Sequence, residues 1–304
     1  MNAPMTVVTA YFNIGRDSFK AVPRAEERYF EEFRFWARLR NPLVVFTEPR
    51  CALRVMEIRS EFGLADQTII IEIEDIFAIE PQILERMRAT SATAEFRDFR
   101  LLPDATSGIA DYSYLMLLKT WFLAQTVVRG HAGENVAWVD FSYNRGGLVH
   151  SNPSDYAFTW ISEPLERINL FLVNDYDERP IFEIVRQLSD CIMGSPIVAP
   201  SGLAGFLWES NRLKMESLLD VGFIDDDQLI QLMSYRAAPE LYELHRSAWF
   251  RPIENYSNEQ FSLTQHPERG PIMERVRRLV HFARKRRLSF DNARRLYRNL
   301  AKSS

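Results

Sequence analysis

Three segments of this 304-residue chain follow β-type apolar runs and carry side chains able to do chemistry: Thr9–Arg16 (TAYFNIGR), Thr47-Glu48 and Asp140–Arg145 (DFSYNR). Ligands of open α/β sheets gather where parallel strands end, so these segments are the first candidates for a site. A rigid strand that delivers one carboxylate into a loop can offer oxygen to a hard cation such as Mg²⁺ or Mn²⁺, or accept a hydrogen bond from a ribose hydroxyl. The same Asp can also cap the turn that follows. Arg16 and Lys119 are suited to neutralising a diphosphate. Lys119 lies inside an apolar run, where an ammonium needs a partner or an opening to solvent. A second acidic cluster, Asp225-Asp226-Asp227, precedes an apolar helix. The helix N-terminus accounts for one carboxylate by capping. Three in succession leave one, Asp227 first, to serve as general base toward an acceptor hydroxyl. Upstream, Gly202 and Gly205 in SGLAGFLW allow close approach of a ligand, and Trp208 offers a stacking face, although an apolar run suits a core Trp equally. His150 and His245 are candidates for touching substrate or are ordinary bonded histidines.

Several chemistries lack their residues. There is no GxSxG elbow, no GxxxxGK[ST] loop and no GxGxxG after the first strand. The five histidines show no HExxH spacing, and Cys51 and Cys191 form no CxxC pair. Both cysteines read as buried thiols in a reducing compartment.

The elements that must position these residues alternate in type. Met5–Phe12, Leu43–Thr47, Thr68–Ile73 and Asn135–Phe141 are β-branched or aromatic runs, separated by helical segments at Arg24–Leu39, Ala52–Phe62 and Tyr112–Val128 and by Pro81–Arg100, which reads as helical and then irregular. Further on, INLFLV, PIVAP and LAGFLW read as strand-like, and Phe182–Ser189, Leu213–Leu219 and Asp227–Ser234 as helical. The expected class is α/β, a Rossmann-type mixed, mainly parallel sheet flanked by helices. It occupies one domain over 1–268, followed by a basic helical appendage over 269–304. The formal charge is −4, but residues 271–304 hold eleven Lys and Arg against Glu274 and Asp291, a net of +9 that leaves −13 for residues 1–270. Apolar positions at helical spacing among these arginines suit an anionic membrane surface, so residues 271–302 are expected to attach the chain peripherally. The tail lacks interleaved surface aromatics and any recognised nucleic-acid motif, so nucleic acid is not the expected partner. No apolar stretch reaches the about 20 residues of a membrane span, and Met1–Thr9 has no basic n-region or cleavage site. A cytoplasmic location, at the inner face of the membrane, is expected.

TVVTAYFNIGR, the aromatic helix ending in NPLVVFTEP, YLMLLKTWFLAQ and VAWVDFSYNR, taken in order from Thr6 to Tyr256, resemble the HtrL/YibB family of bacterial proteins. That family is similar to nucleotide-sugar glycosyltransferases of the GT-A fold and is associated with surface-polysaccharide synthesis. The resemblance implies a nucleotide-diphosphate sugar donor, UDP-linked, and a glycan or lipid-linked glycan acceptor. It places Thr9, Tyr11 and Arg16 on the nucleotide, with Tyr143 and Arg145 nearby. It puts Lys119 on the helix before the metal-binding strand and Asp140 at the position of the Asp-x-Asp motif. GLAGFLW and DDDQ would line the acceptor side, with Trp208 and His245. The second acid of the motif is missing, because the segment reads Asp140-Phe141-Ser142. A divalent cation, Mn²⁺ or Mg²⁺, would then rest on Asp140 with the diphosphate and water completing its shell. Otherwise Arg16, Arg145 or Lys119 carries the phosphate charge. The alternative is a non-catalytic protein that binds a glycan or a partner through a degenerate site.

Overall fold

The computed structural model describes residues 2–19, 23–101, 106–187, 191–257 and 261–263. In chain order its elements are β1 (Ala3–Pro4), β2 (Thr6–Tyr11), α1 (Glu26–Trp36), β3 (Leu43–Thr47), α2 (Pro49–Ser60), β4 (Thr68–Glu72), α3 (Pro81–Ala92), α4 (Ala94–Phe99), α5 (Ala110–Val128), β5 (Asn135–Trp138), β6 (Ile161–Ser162), β7 (Ile168–Leu172), α6 (Ile181–Gln187), β8 (Ile197–Pro200), α7 (Ala204–Asp220), α8 (Asp227–Ala237) and β9 (Tyr242–Arg246). β1 and β6 form a small antiparallel pair.

The other seven strands form one sheet in the order β4-β3-β2-β5-β8-β7-β9. β4, β3, β2 and β5 pair in parallel, as do β7 and β9. β8 runs against both neighbours. The architecture is therefore mixed α/β with a mostly parallel sheet, as the alternating pattern predicts. The central strands are buried on both faces, which explains their unbroken apolar runs. Their side chains alternate between two cores. Val8, Val44 and Trp138 face the core that includes α5 and α7, whereas Val7, Val45 and Ala137 face the one that includes α1 and α2.

The strand order creates the crevice. From β2 the chain steps outward to β3 and β4, and α5 then returns it to the opposite side of β2, where it enters β5. The carboxyl ends of β2 and β5 thus meet where the winding direction reverses, the position at which open α/β sheets bind ligands. One buried cation secures this half of the sheet. The Arg59 guanidinium, fully buried, donates to the carbonyls of Ala37 (2.7 Å), Leu39 (2.7 Å) and Asn41 (3.2 Å) and to Thr68 Oγ1 (2.8 Å). Burial pulls its pKa down to about 10, and no carboxylate among the described residues pairs with it.

Three expectations change. LAGFLW is not a strand: it opens α7, which continues through Leu213–Leu219 as one helix. Its buried residues, Ala204, Leu207, Trp208, Asn211, Met215, Leu218 and Leu219, fall on one face with helical spacing, a period that a six-residue window does not reveal. Pro81–Arg100 divides into α3 and α4, because Thr93 takes an extended conformation and its side chain caps Phe96 N. β9, whose sequence YELHR carries no apolar run, is an additional strand paired with β7. The basic segment 269–304 lies outside the described residues. Among the described residues no helix is long and apolar enough to cross a membrane.

Candidate active site

The cleft at the ends of β2 and β5 has a volume of about 270 Å³ and is lined by residues from both strand-end loops, α1, α5, the start of α8 and the segment after β9. Arg16 and Asp140 both line it, so the two loops singled out from the sequence do share a site.

At its floor, α5 presents Lys119, whose side chain is 3% exposed. Its Nζ donates to Asp140 Oδ1 (2.9 Å), Asp227 Oδ2 (2.8 Å) and the Gly194 carbonyl (3.1 Å). An ammonium has three N–H groups, and all three are spent here. Burial alone would discharge this lysine, but the two carboxylates outweigh it and hold its pKa above the ordinary lysine value. Burial pushes the Asp227 carboxyl up against the opposing pull of Lys119. Gly194 is required beside this pair, since a Cβ there would meet the Asp227 carboxylate, 2.9 Å from Cγ and 3.0 Å from Oδ1. Asp140 is the accessible acid. Its side chain is 38% exposed against 6% for Asp227. Its Oδ1 also accepts from Trp138 Nε1 (2.7 Å), and its backbone N–H donates to Ser195 Oγ (2.9 Å). The loop is thereby held while Oδ2 faces the cleft without a hydrogen bond from any described residue.

Guanidinium groups line the rest. Arg16 follows a turn in which Gly15 has φ +71° and Asn13 Oδ1 accepts from Gly15 N (2.9 Å). Its guanidinium lies 4.9 Å over the Tyr112 ring, and its Nε is buried without a partner. Arg24 donates to Ser142 Oγ (2.9 Å) and pairs with the buried Glu32 (3.4 Å), so it ties α1 to the loop after β5. Arg145 sits in a left-handed stretch, with φ +57° at Asn144 and +45° at Arg145. The Asn144 side chain stabilises that stretch by bonding His150 O (2.8 Å), Val149 N (2.9 Å) and His150 N (3.0 Å). Across from it, Phe250 at φ +65° takes two hydrogen bonds on its carbonyl, from Tyr143 OH (2.6 Å) and His150 Nε2 (2.8 Å). These bonds position the partly exposed Trp249 in the wall of the cleft.

Of the residues proposed from sequence, Tyr11, Arg16, Lys119, Asp140, Arg145, Asp226 and Asp227 line the cleft. The others do not. Thr9 is buried below the floor, and Tyr143 is a buried strut beneath Phe250. Trp208 packs in the α7 core, where its run is helical. His245 lies on β9 with its ring against Phe171 and its Nε2 bonded to Asn169. Asp225 turns away to a buried pair with Arg100 (3.0 Å). The three acids each have a separate task, since Asp226 caps α8 by accepting from Gln228 N (3.1 Å) while Asp227 holds Lys119. Thr47 and Glu48 support the β2 loop from behind, through Tyr11 O (2.9 Å) and Asn13 N (2.8 Å). Arg24 and Trp249 escaped the sequence reading. The strand-end rule flagged neither, since Arg24 precedes a helix and Trp249 follows a strand without an apolar run.

The space between the two carboxylates holds an ammonium, and no group of three His, Cys, Asp or Glu among the described residues is placed to bind a metal ion.

The model of the family described as "Bacterial protein of unknown function (HtrL_YibB)" matches residues 3–257. The chain belongs to the HtrL/YibB family. Its relative Protein HtrL of Escherichia coli (strain K12) is 26% identical over 275 residues, which covers 82% of this chain and 91% of that one. Two solved structures are similar at low extent. Mouse xyloside xylosyltransferase 1 in its apo form has a TM-score of 0.41 at 11% identity over 78% of this chain and 83% of that one. The PaToxG glycosyltransferase has a TM-score of 0.35 at 8% identity over 78% and 71%. Likenesses of this extent carry no chemistry across to the HtrL/YibB chain. The matched span, 3–257, includes every residue of the cleft.

Proposed function

We propose that this chain is a glycosyltransferase that takes a nucleotide-diphosphate sugar, UDP-linked, and passes the sugar to a hydroxyl of a glycan or lipid-linked glycan. The observation that carries the reading is that Arg16, Arg24 and Arg145 line the same cleft as the accessible carboxylate of Asp140, where β2 and β5 part. Transfer of a sugar leaves a diphosphate on which negative charge develops. Preorganised guanidinium groups stabilise that charge more in the transition state than in the ground state. Arg16 is the best placed of them, because its buried Nε has no protein acceptor to give up. Asp140 Oδ2 accepts from a substrate hydroxyl. Asp227 was the expected general base, but its burial and its bond to Lys119 suit it to positioning that lysine, and through it Asp140. The exposed face of Trp249 gives an acceptor sugar a stacking surface. The net charge of +9 over 271–304 supports peripheral attachment to an anionic membrane, where lipid-linked acceptors reside and surface polysaccharide is built.

The test is a thermal-melt series of the full chain with UDP, GDP and CMP, followed by assay of UDP-sugar hydrolysis. UDP at 100 times its Kd is expected to stabilise the chain by about 2.7 kcal/mol. Arg16→Ala should weaken that response without lowering the melting temperature of the free protein. A melt that no nucleotide shifts would refute the donor assignment. Binding without hydrolysis or transfer would leave a glycan- or nucleotide-binding protein.

A further inference from the structure

We propose that Lys119 is a fixed internal cation in the place a divalent metal would take, so that the cleft binds its diphosphate ligand without a metal ion. The inference rests on the nucleotide-sugar reading for its ligand and on the geometry of α5 for its cation.

Two carboxylates converge from different parts of the chain, Asp140 after β5 and Asp227 at the start of α8, with the Gly194 carbonyl as a third oxygen. An oxygen set of this kind, open on one side to a cleft, is what a hard cation seeks. The ammonium already fills it. Lys119 rises from a buried face of α5 and makes one bond to each of the three oxygens, at 2.8–3.1 Å. It is therefore not a mobile counter-charge that could swing out to a phosphate. A metal bound between the two carboxylates would have to displace a buried side chain and strand its charge in the core, which is costly. Lys119 thus does two parts of a metal's work: it screens the carboxylates from an incoming anion and it aims Asp140. It leaves the third part, direct contact with the phosphates, to Arg16, Arg24 and Arg145. Gly194 belongs to the same device, since any side chain at that position would strike the Asp227 carboxylate.

The experiment uses the full chain purified in EDTA. UDP affinity is measured by calorimetry in EDTA and in Mn²⁺, and Mn²⁺ uptake by loss of the free-ion electron paramagnetic resonance signal, with and without UDP. UDP affinity equal in both buffers, with no bound Mn²⁺, is the expected result. A gain of about tenfold or more with Mn²⁺, or uptake of one Mn²⁺ per chain that Asp140→Asn removes, overturns the proposal. Absence of UDP binding in both buffers defeats the nucleotide-sugar reading instead, and Mn²⁺ uptake still decides the role of Lys119. Lys119→Ala supplies the converse. Its freed oxygens should take up Mn²⁺ that the wild-type chain ignores, and a folded variant that also ignores Mn²⁺ counts against the proposal. If that variant does not fold, the wild-type measurements decide.

Discussion

Gly194→Ala tests whether the Lys119 clamp is as rigid as its geometry implies. The backbone at Gly194 does not have positive φ, so alanine meets no conformational penalty, and the nearest obstacle is the Asp227 carboxylate. A new Cβ would stand 2.9 Å from Asp227 Cγ and closer still to Oδ2, the oxygen bonded to Lys119. Ordinary contact between carbons is roughly 3.5–4.0 Å, so the carboxylate must retreat by about 0.6–1 Å. Its bond to Lys119 is 2.8 Å, and a retreat of that size takes it to or beyond the limit of a hydrogen bond. Overpacking a core costs about 1–3 kcal/mol, and breaking one side of a buried ion pair outright costs about 3–5 kcal/mol. Lys119 keeps Asp140 and the Gly194 carbonyl, so the expected loss is about 2–4 kcal/mol, or a fall in Tm of about 3–7 °C. Thermal unfolding followed by circular dichroism reads this directly, beside UDP binding, which should weaken as Asp140 loses its support. A Gly194→Ala chain that melts within about 1 °C of wild type and binds UDP equally would refute the clamp.

Other substitutions probe the frame around the cleft. Gly205→Ala, in the first turn of α7 with open space where its Cβ would lie, should raise stability by a few tenths to about 1 kcal/mol in urea unfolding, and it serves as the control for Gly194. Arg59→Met leaves three buried carbonyls without their donor and should cost about 3–5 kcal/mol by the same measurement; a loss below about 1 kcal/mol would show that other groups hold those carbonyls. His150 gives a pH dependence. Burial lowers its pKa, against the pull of Phe250 O and Glu254. The unfolded chain takes up a proton at the ordinary histidine pKa of 6.5, whereas the folded ring stays neutral to lower pH. Its contribution is complete above that value and is lost as the pH falls below it, by at most about 1.4 kcal/mol per pH unit. Urea unfolding at a series of pH values should show this slope, and His150→Gln should reduce it.

The local terms of this fold were written in the sequence. β-branched runs became strands at Thr6–Tyr11, Leu43–Thr47 and Thr68–Glu72 within a residue or two, and helical spacing set α1, α5 and α8, because apolar periodicity and backbone propensity act over a few neighbouring residues. The strand-end rule reached Arg16 and Asp140 for the same reason: each lies just after a recognisable strand. The sequence argument that a buried lysine needs a partner was also sufficient for Lys119, but it could not say which partner. That choice depends on β5 joining β2 across the reversal of winding and on α8 bringing Asp227 within 2.8 Å, contacts made by residues 21 and 108 positions apart from Lys119. The division of Asp225, Asp226 and Asp227 among an Arg100 pair, a helix cap and the clamp was equally beyond a sequence reading, since three adjacent carboxylates differ only in where the fold points them. Trp208 looked like a stacking surface and proved to be core, while Trp249 stood in an unmarked segment and came to the cleft wall. Side-chain chemistry is a property of the residue. Which groups share a cavity, and whether a carboxylate meets water or an ammonium, follows from long-range packing that no short window contains.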